Sequence, residues 1–406
     1  MIKEICAITV LANKLCMFIM LFGLARILGV ELYGVFSYNY AIITGIATVA
    51  GECLSVALSR YAVLNSHNVN YGSTLCLMAW SGIVVGALCV IVLTAFPAPA
   101  ASYEISPAYL MSGAFLFGFA CVCNLTITGL MFSLETSGRW VAALAAHGLF
   151  GLMLVIAAAW FSGRIEGVVL TLAFCTLIAP VLGFLIIKQS NFTGWKGWRA
   201  LFAFRKMMAL LVGSGAPTIA GSMLLGAPIH IICLMIFANS SLSVLEVGYF
   251  NLFFLFYILV TVLPSSLTSY AIVRLAGYGS KASKAYLMSG VAISILLPLV
   301  MILTQNYWLC FLGNGICSKS DLLSYAVAAG GVGLTTTIIV QILHSKNSTR
   351  IVFLGSCVYA VVYLSATVFS SLKGDMLATD LFRSFLAALA AQIFVLVALG
   401  GRKLVQ

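Results

Sequence analysis

Long apolar runs alternate with short polar stretches along almost the whole chain. A helix needs about 20 apolar residues to cross a bilayer, and we count twelve runs of roughly this length. They lie at about 6–28, 35–58, 74–96, 108–131, 140–161, 168–187, 208–237, 247–272, 285–304, 322–343, 351–370 and 381–400. Because the pattern lacks short strands of alternating polarity, the spans are predicted to be helices rather than barrel strands. The sequence therefore predicts an all-α integral membrane protein with twelve transmembrane helices.

Composition agrees with this pattern. Of 406 residues, 63% are hydrophobic and 8% are charged, whereas a soluble domain carries about 25% charged residues. The first run contains Lys14 and Arg26 and has no convincing cleavage site, so we interpret it as a permanent helix rather than a signal peptide. Most of the 12 cysteines lie in apolar runs, where cysteine packs as a small hydrophobe, and no metal site is predicted.

The distribution of charge predicts the orientation in the membrane. With the N-terminus in the cytoplasm, 15 of the 21 basic residues fall in inside loops and termini and only three in outside loops. The positive-inside rule favours this arrangement, in which the C-terminus is also cytoplasmic. The net charge of +11 is therefore explained by topology and does not indicate nucleic acid as a partner.

Motifs of ATP-driven pumps and of many membrane enzymes are missing. The four histidines are scattered over different segments, and the sequence contains neither a GxxxxGK[ST] loop nor HExxH. We predict no cofactor and no ATP hydrolysis. The driving force is expected to come from an ion gradient (H⁺ or Na⁺), from the substrate's own gradient or from downstream consumption.

A motif at the start of the second run returns 214 residues later. Gly34 aligns with Gly248 and Arg60 with Arg274, and each copy also has an acid and a tyrosine next to its glycine: Glu31 and Tyr33 in the first copy, Glu246 and Tyr249 in the second. The copies open predicted spans 2 and 8 with the same orientation, so the halves are predicted to be parallel copies of six helices. Two such lobes around a central cavity suit alternating access. The predicted divisions are an N-terminal lobe at 1–187, a linker at 188–207 and a C-terminal lobe at 208–406.

The linker contains a basic and aromatic stretch at 188–206. Its tryptophans and neighbouring apolar residues share one helical face, with basic residues around the remainder. This pattern favours a short interfacial helix on the cytoplasmic leaflet over a solvated linker.

The stretch LARILGVELYGVFSYNYAIITGIATVAGECLSVALSRYA (24–62) resembles the N-terminal signature of polysaccharide transporters of the MOP exporter superfamily. There, a basic residue at the end of helix 1 precedes Leu-Gly, a turn with an acidic residue and Tyr-Gly, a polar helix 2 and a closing arginine. The similarity is greatest to bacterial O-antigen flippases, which move undecaprenyl-diphosphate-linked oligosaccharide units across the inner membrane. It implies a MATE-like fold, a bacterial inner-membrane location, this lipid-linked substrate, and an O-antigen polymerase and chain-length regulator as partners.

Two other functions are alternatives to a flippase. A drug/cation antiporter of the same superfamily would need acidic residues in its cavities, and Glu52 is the only acid in any predicted span. An O-antigen polymerase or ligase typically carries a large periplasmic loop with arginines, whereas the outside loops here are short and acidic.

Lys14 and Glu52 are the main candidate pair for the substrate cavity, because charged residues inside spans are costly and seldom face lipid. They are expected at similar depth on adjacent antiparallel helices. The functional interpretation is a gate or a substrate-responsive ion pair. The alternatives are a structural pair, or a lysine that snorkels to the interface.

Three arginines are further candidates for the cavity. Arg26, near the outer end of helix 1, could bind a diphosphate or anchor the helix at the interface. Arg60 and Arg274 close the repeated helices on the cytoplasmic side, where topology alone explains them and a role at the cavity mouth is the alternative.

The seventh run contains Pro217 and Pro228, each of which removes a backbone donor and favours a bend. The bend is either a hinge or a static kink. His230 lies near mid-membrane and could bind a coupling proton, although a lone buried histidine more often has a packing role. The same proton-binding role is a weaker alternative for His147. Amides in the spans are possible cavity donors or interhelical contacts: Asn39, Asn124, Asn251, Gln341 and Gln392.

Overall fold

The computed structural model describes residues 2–64, 71–98, 107–133, 137–189, 226–241, 243–266, 268–312, 316, 318–346 and 348–405. The elements in these ranges are α-helices. They are α1 (Ile2–Leu64), α2 (Tyr71–Ala95), α3 (Pro107–Ser133), α4 (Ser137–Ser162), α5 (Ile165–Gln189), α6 (Gly226–Ser240), α7 (Val244–Ser266), α8 (Thr268–Leu303), α9 (Gln305–Leu312), α10 (Ser320–Ser345), α11 (Thr349–Leu372) and α12 (Ala378–Val405).

Ten candidate spans in the described ranges are long and apolar enough to cross a membrane. The first candidate, Leu11–Ser55, has 45 residues, about twice the length that one crossing needs. Helix α6 is apolar but shorter, and the preceding residues 190–225 lie outside the described ranges. The predicted all-helical, multi-span architecture is therefore confirmed, and the count of twelve spans stays a prediction.

Helix α1 is two helices joined at Gly29, which has φ 75° and ψ 162°. This backbone conformation is open essentially to glycine alone. A continuous helix would separate Met17 from Tyr40 by about 34 Å, yet the Tyr40 hydroxyl lies 3.6 Å from the Met17 sulfur. The halves, 2–28 and 30–64, therefore form a hairpin with its tip at Gly29. The sequence placed this turn slightly later, around Glu31, which instead lies in the second half.

The predicted loop between runs 247–272 and 285–304 is helical. Helix α7 ends at Ser266, and α8 begins at Thr268 and continues to Leu303. The stretch between the runs, 273–284, contains two glycines and two serines beside two alanines, two lysines and one leucine, so its composition gave no clear signal that α8 continues through it. The predicted outside loop after this span likewise contains the short helix α9.

The described helices group into two compact units. The first contains the described residues of 1–20 and 39–228, and the second contains those of 21–38 and 229–406. The tip of the α1 hairpin thus groups with the C-terminal half of the chain, whereas the sequence-predicted N-terminal lobe includes it. The predicted linker at 188–207 lies almost entirely outside the described residues.

The two units of described helices share three helix pairings, and in the second unit α10 also packs against α7. In the first unit α3 packs against α2 and α5, and α4 packs against α5. In the second unit α10 packs against α8 and α12, and α11 packs against α12. In the order of the predicted spans, the second set of pairs repeats the first set with an offset of six spans.

Candidate functional site

Lys14 and Glu52 lie on the two halves of α1 in the first unit, and both side chains are half-buried. Their charges interact electrostatically, although the described side chains of this pair form no direct ion pair. The two residues do not lie at the similar depth that the sequence predicted: Glu52 is farther along the chain from Gly29 than Lys14 is, so it lies about 12 Å farther from the hairpin tip. Helical side chains lean toward the N-terminus of their own helix. Since the halves run in opposite directions, the two side chains lean toward each other.

Neighbouring helices pack closely beside this charged pair. A Cβ at Gly51 would lie 2.7 Å from the Leu125 Cδ1 atom of α3. On the other half of the hairpin, Asn13 lies against Gly148 of α4. The segments that carry Glu52 and Lys14 are therefore held against α3 and α4 respectively.

Unpaired polar atoms lie next to these contacts. Within the described residues, Asn124 Oδ1 and both ring nitrogens of His147 are buried without a hydrogen bond of good geometry, and the backbone of Cys175 faces the His147 ring. Asn124 precedes Leu125, and His147 precedes Gly148. Leaving a buried polar atom unpaired costs about 1–3 kcal/mol. Asn124 and His147 are thus each adjacent in sequence to a residue that packs against the α1 hairpin, at Gly51 and Asn13 respectively.

Arg26 is exposed near the hairpin tip and contacts α9. Its Nη1 donates a hydrogen bond of 3.1 Å to the Phe311 carbonyl oxygen, and its guanidinium lies 5.8 Å from the centroid of the Phe311 ring. Arg26 therefore contacts α9, and both diphosphate binding and anchoring at the membrane interface stay predictions.

The remaining site predictions are tested less directly. The side chains of Arg60 and Arg274, in α1 and α8, lie outside the described part of the structure. Pro217 also lies outside the described residues, and Pro228 is the third residue of α6 as described. The hinge stays a prediction, as does the role of both arginines at a cavity mouth.

His230 is held in a group of aromatic rings in the second unit. Its Nδ1 lies 3.2 Å from the Tyr363 hydroxyl, and its ring stacks on Phe254 with centroids 4.6 Å apart. The structure therefore shows a packing role for His230, and proton coupling stays a prediction. Gln341 has an interhelical role, because it accepts a 2.6 Å hydrogen bond from the Tyr286 hydroxyl.

The two copies of the repeated motif contact each other within the second unit. A Cβ at Gly34 would lie 2.6 Å from the Val244 carbonyl oxygen, and a Cβ at Gly248 would overlap the Val30 carbonyl oxygen. Val30 and Val244 are equivalent positions, each four residues before the aligned glycine. The contact is therefore reciprocal, as it is for two copies related by a two-fold axis. Both positions need glycine because the helix backbones leave no room for a side chain.

An acidic residue of the second motif copy fixes the start of α12. Glu246 accepts a hydrogen bond of 2.8 Å from the Ala378 backbone N–H and lies 3.8 Å from the Lys319 ammonium. A carboxylate is favourable at a helix N-terminus. Glu246 is thus part of the helix packing rather than a free cation site.

Solved transporters share this fold over nearly the whole chain. One is an inward-facing multidrug resistance MATE family transporter of the MOP superfamily, with TM-score 0.66, 14% identity, and coverage of 97% of this chain and 94% of that chain. Another is the lipid II flippase MurJ in an inward closed conformation, with TM-score 0.68, 14% identity, and coverage of 96% and 87%. A third is a MOP superfamily transporter from Pyrococcus furiosus, with TM-score 0.62, 12% identity, and coverage of 99% and 95%.

These similarities define the class of fold. The chain has the transporter fold of MATE proteins and MurJ, which confirms the MATE-like part of the predicted fold class. No family model and no curated protein matches the chain.

Proposed function

We propose that this chain is a flippase that moves undecaprenyl-diphosphate-linked O-antigen oligosaccharide units from the cytoplasmic to the periplasmic leaflet of the bacterial inner membrane. It works by alternating access between two six-helix lobes, with both termini in the cytoplasm, and is a transporter rather than an enzyme. The observation that carries the proposal is the half-buried pair Lys14 and Glu52, inside a chain with the fold of MATE proteins and MurJ.

The polar region around Lys14 addresses the physical barrier to such transport. Each sugar hydroxyl that enters hydrocarbon without a partner costs about 2–7 kcal/mol, so the headgroup needs a polar passage while its lipid tail stays in the bilayer. Lys14, Glu52, Asn124 and His147 supply charges, donors and acceptors in membrane-spanning helices of the first unit. A diphosphate that enters this region would compete with Glu52 for the ammonium of Lys14, which has three hydrogen-bond donors.

The internal repeat supports the two-lobe part of the proposal. The units repeat one pattern of helix pairing, and Gly34 and Gly248 make reciprocal contacts at aligned positions. Parallel repeats of this kind occur in transporters that work by alternating access.

A drug/cation antiporter is the alternative, because MATE transporters share the fold. Its cationic substrates would need carboxylates inside the bundle. Among the described residues, Glu52 is the acid well inside a span and already interacts with Lys14, whereas several others lie in the first turn of their helices: Glu166, Glu246, Asp321 and Asp380. The distribution of charge therefore favours an anionic headgroup.

Deletion of the gene in its host tests the proposal. Lipid-linked oligosaccharide should accumulate on the cytoplasmic leaflet, O-antigen at the cell surface should fall, and a plasmid copy of the wild-type gene should restore both. Normal surface O-antigen together with new sensitivity to cationic drugs would instead establish the antiporter.

A further inference from the structure

Three aromatic rings from two helices form a continuous stack in the second unit. The ring of His230 in α6 stacks on Phe254 in α7 at 4.6 Å and 19°, and Phe254 stacks on Tyr257 at 4.9 Å and 26°. All three residues are half-buried. We call this stack of His230, Phe254 and Tyr257 the aromatic ladder.

Residues behind the ladder fix its geometry. The Phe385 ring contacts all three members, at centroid distances of 5.9, 5.6 and 4.9 Å, and the Tyr363 hydroxyl lies 3.2 Å from His230 Nδ1. When this hydroxyl donates, the imidazole proton lies on Nε2, which is then a donor itself. The ladder is thus held in one orientation by packing and by a hydrogen bond.

On α7, the partly exposed residues of the ladder lie in the middle of the helix. Phe250, Phe254, Tyr257 and Thr261 share one face of this helix. Phe250 is 0% exposed and Thr261 is 7% exposed, so the face is closed on both sides of the ladder. On this face of α7, the partly exposed positions are therefore Phe254 and Tyr257.

The chemistry of the ladder suits an uncharged, hydroxyl-bearing ligand. Within the described residues, Tyr257 Oη and His230 Nε2 make no hydrogen bond, and the charged side chains of the second unit lie near the ends of their spans. Apolar rings with a few neutral polar groups are typical of small-molecule sites. A cation would bind an open ring face, whereas each ring of the ladder stacks on a neighbouring ring.

We propose that the aromatic ladder is a binding subsite for sugar rings of the lipid-linked oligosaccharide. This proposal rests on the proposed function and adds a second contact region, separate from the charges at Lys14 and Glu52. Tyr257 Oη and His230 Nε2 hydrogen-bond to the sugar hydroxyls, and the apolar surface of the rings packs against the carbon atoms of the sugar.

Binding by the full-length protein in nanodiscs tests the ladder. The probes are the host's undecaprenyl-diphosphate-linked oligosaccharide and sugar-free undecaprenyl diphosphate. We expect Tyr257→Phe, which removes only the hydroxyl, to weaken binding of the sugar-bearing lipid about fivefold, and Phe254→Leu to weaken it about tenfold. Neither variant should change the affinity for the sugar-free lipid.

Phe394→Leu is the matched control, because Phe394 is 73% exposed on α12, and it should bind both lipids as the wild type does. Tyr257→Phe keeps the packed ring, so its result is interpretable even where Phe254→Leu folds poorly. An equal loss of affinity for both lipids, or unchanged affinity for the sugar-bearing lipid, would overturn the subsite. If the variants instead lose binding of the cation tetraphenylphosphonium and keep binding of the sugar-bearing lipid, the ladder is a cation site. Failure of the wild type to bind either lipid would remove the proposed function, and the subsite with it.

Discussion

Gly248→Ala is expected to destabilise the purified protein strongly, although it adds a single methyl group. That methyl would overlap the Val30 carbonyl oxygen, a backbone atom that cannot rotate away. Overpacking of this kind costs about 1–3 kcal/mol. Gly34→Ala should have a similar effect, because its methyl would lie 2.6 Å from the Val244 carbonyl oxygen. Thermal unfolding in detergent measures both.

Gly151→Ala is the control for this pair of variants. Gly151 lies in the middle of helix α4, and a Cβ there would make only an ordinary contact of 3.8 Å with Cys175. Its melting temperature should stay at or slightly above that of the wild type, because alanine favours helix over glycine. Equal melting temperatures for Gly248→Ala and Gly151→Ala would show that the two motif copies do not pack as described.

Reversal of one charge in the Lys14–Glu52 pair is expected to abolish most transport. Lys14→Glu places two carboxylates where opposite charges now interact, and Glu52→Lys places two ammonium groups there. Like charges would then repel each other inside a span, where an unpaired charge is already costly. O-antigen at the cell surface of complemented deletion strains measures the result, together with the amount of folded protein in the membrane.

The double reversal, Lys14→Glu with Glu52→Lys, distinguishes an effect of pairing between the two charges from an effect of each charge at its own position. It should restore folded protein and a part of the transport, because the pair is re-formed in the opposite sense. Arg164→Glu is the matched control for a charge reversal, since Arg164 is exposed between α4 and α5, and it should leave transport intact. A double variant as inactive as both single variants, with normal levels of folded protein, would count against a functional pair.

The sequence was most informative where a residue type is costly in a membrane. Lys14 and Glu52 stand out because charges are rare in apolar runs, and in the structure their charges interact without a direct ion pair. The positions of the apolar runs likewise predicted most of the helices. The same reasoning could not place the boundary between α7 and α8, since α8 continues through the polar stretch 273–284, whose two glycines disfavour helix.

Contacts between distant segments could not be predicted in this way. Arg26 and Phe311 are 285 positions apart, and phenylalanine in an apolar stretch carries no signal of its partner. The aromatic ladder was missed for the same reason, since Phe254 and Tyr257 look like ordinary core residues. Gly29 was missed because glycine is common in membrane helices, and only its positive φ marks it as the break in α1.

The central claim is that the chain carries an anionic, sugar-bearing headgroup across the bilayer, and reconstitution tests it most directly. Purified full-length protein in liposomes would be supplied with undecaprenyl-diphosphate-linked oligosaccharide labelled on its terminal sugar, and a membrane-impermeant reagent would report how much label lies in the outer leaflet. The account predicts that the wild type equilibrates the label between leaflets, whereas Lys14→Glu leaves it where it was placed. Label that stays in one leaflet with the wild type, while a cationic dye crosses in exchange for H⁺ or Na⁺, would contradict the account.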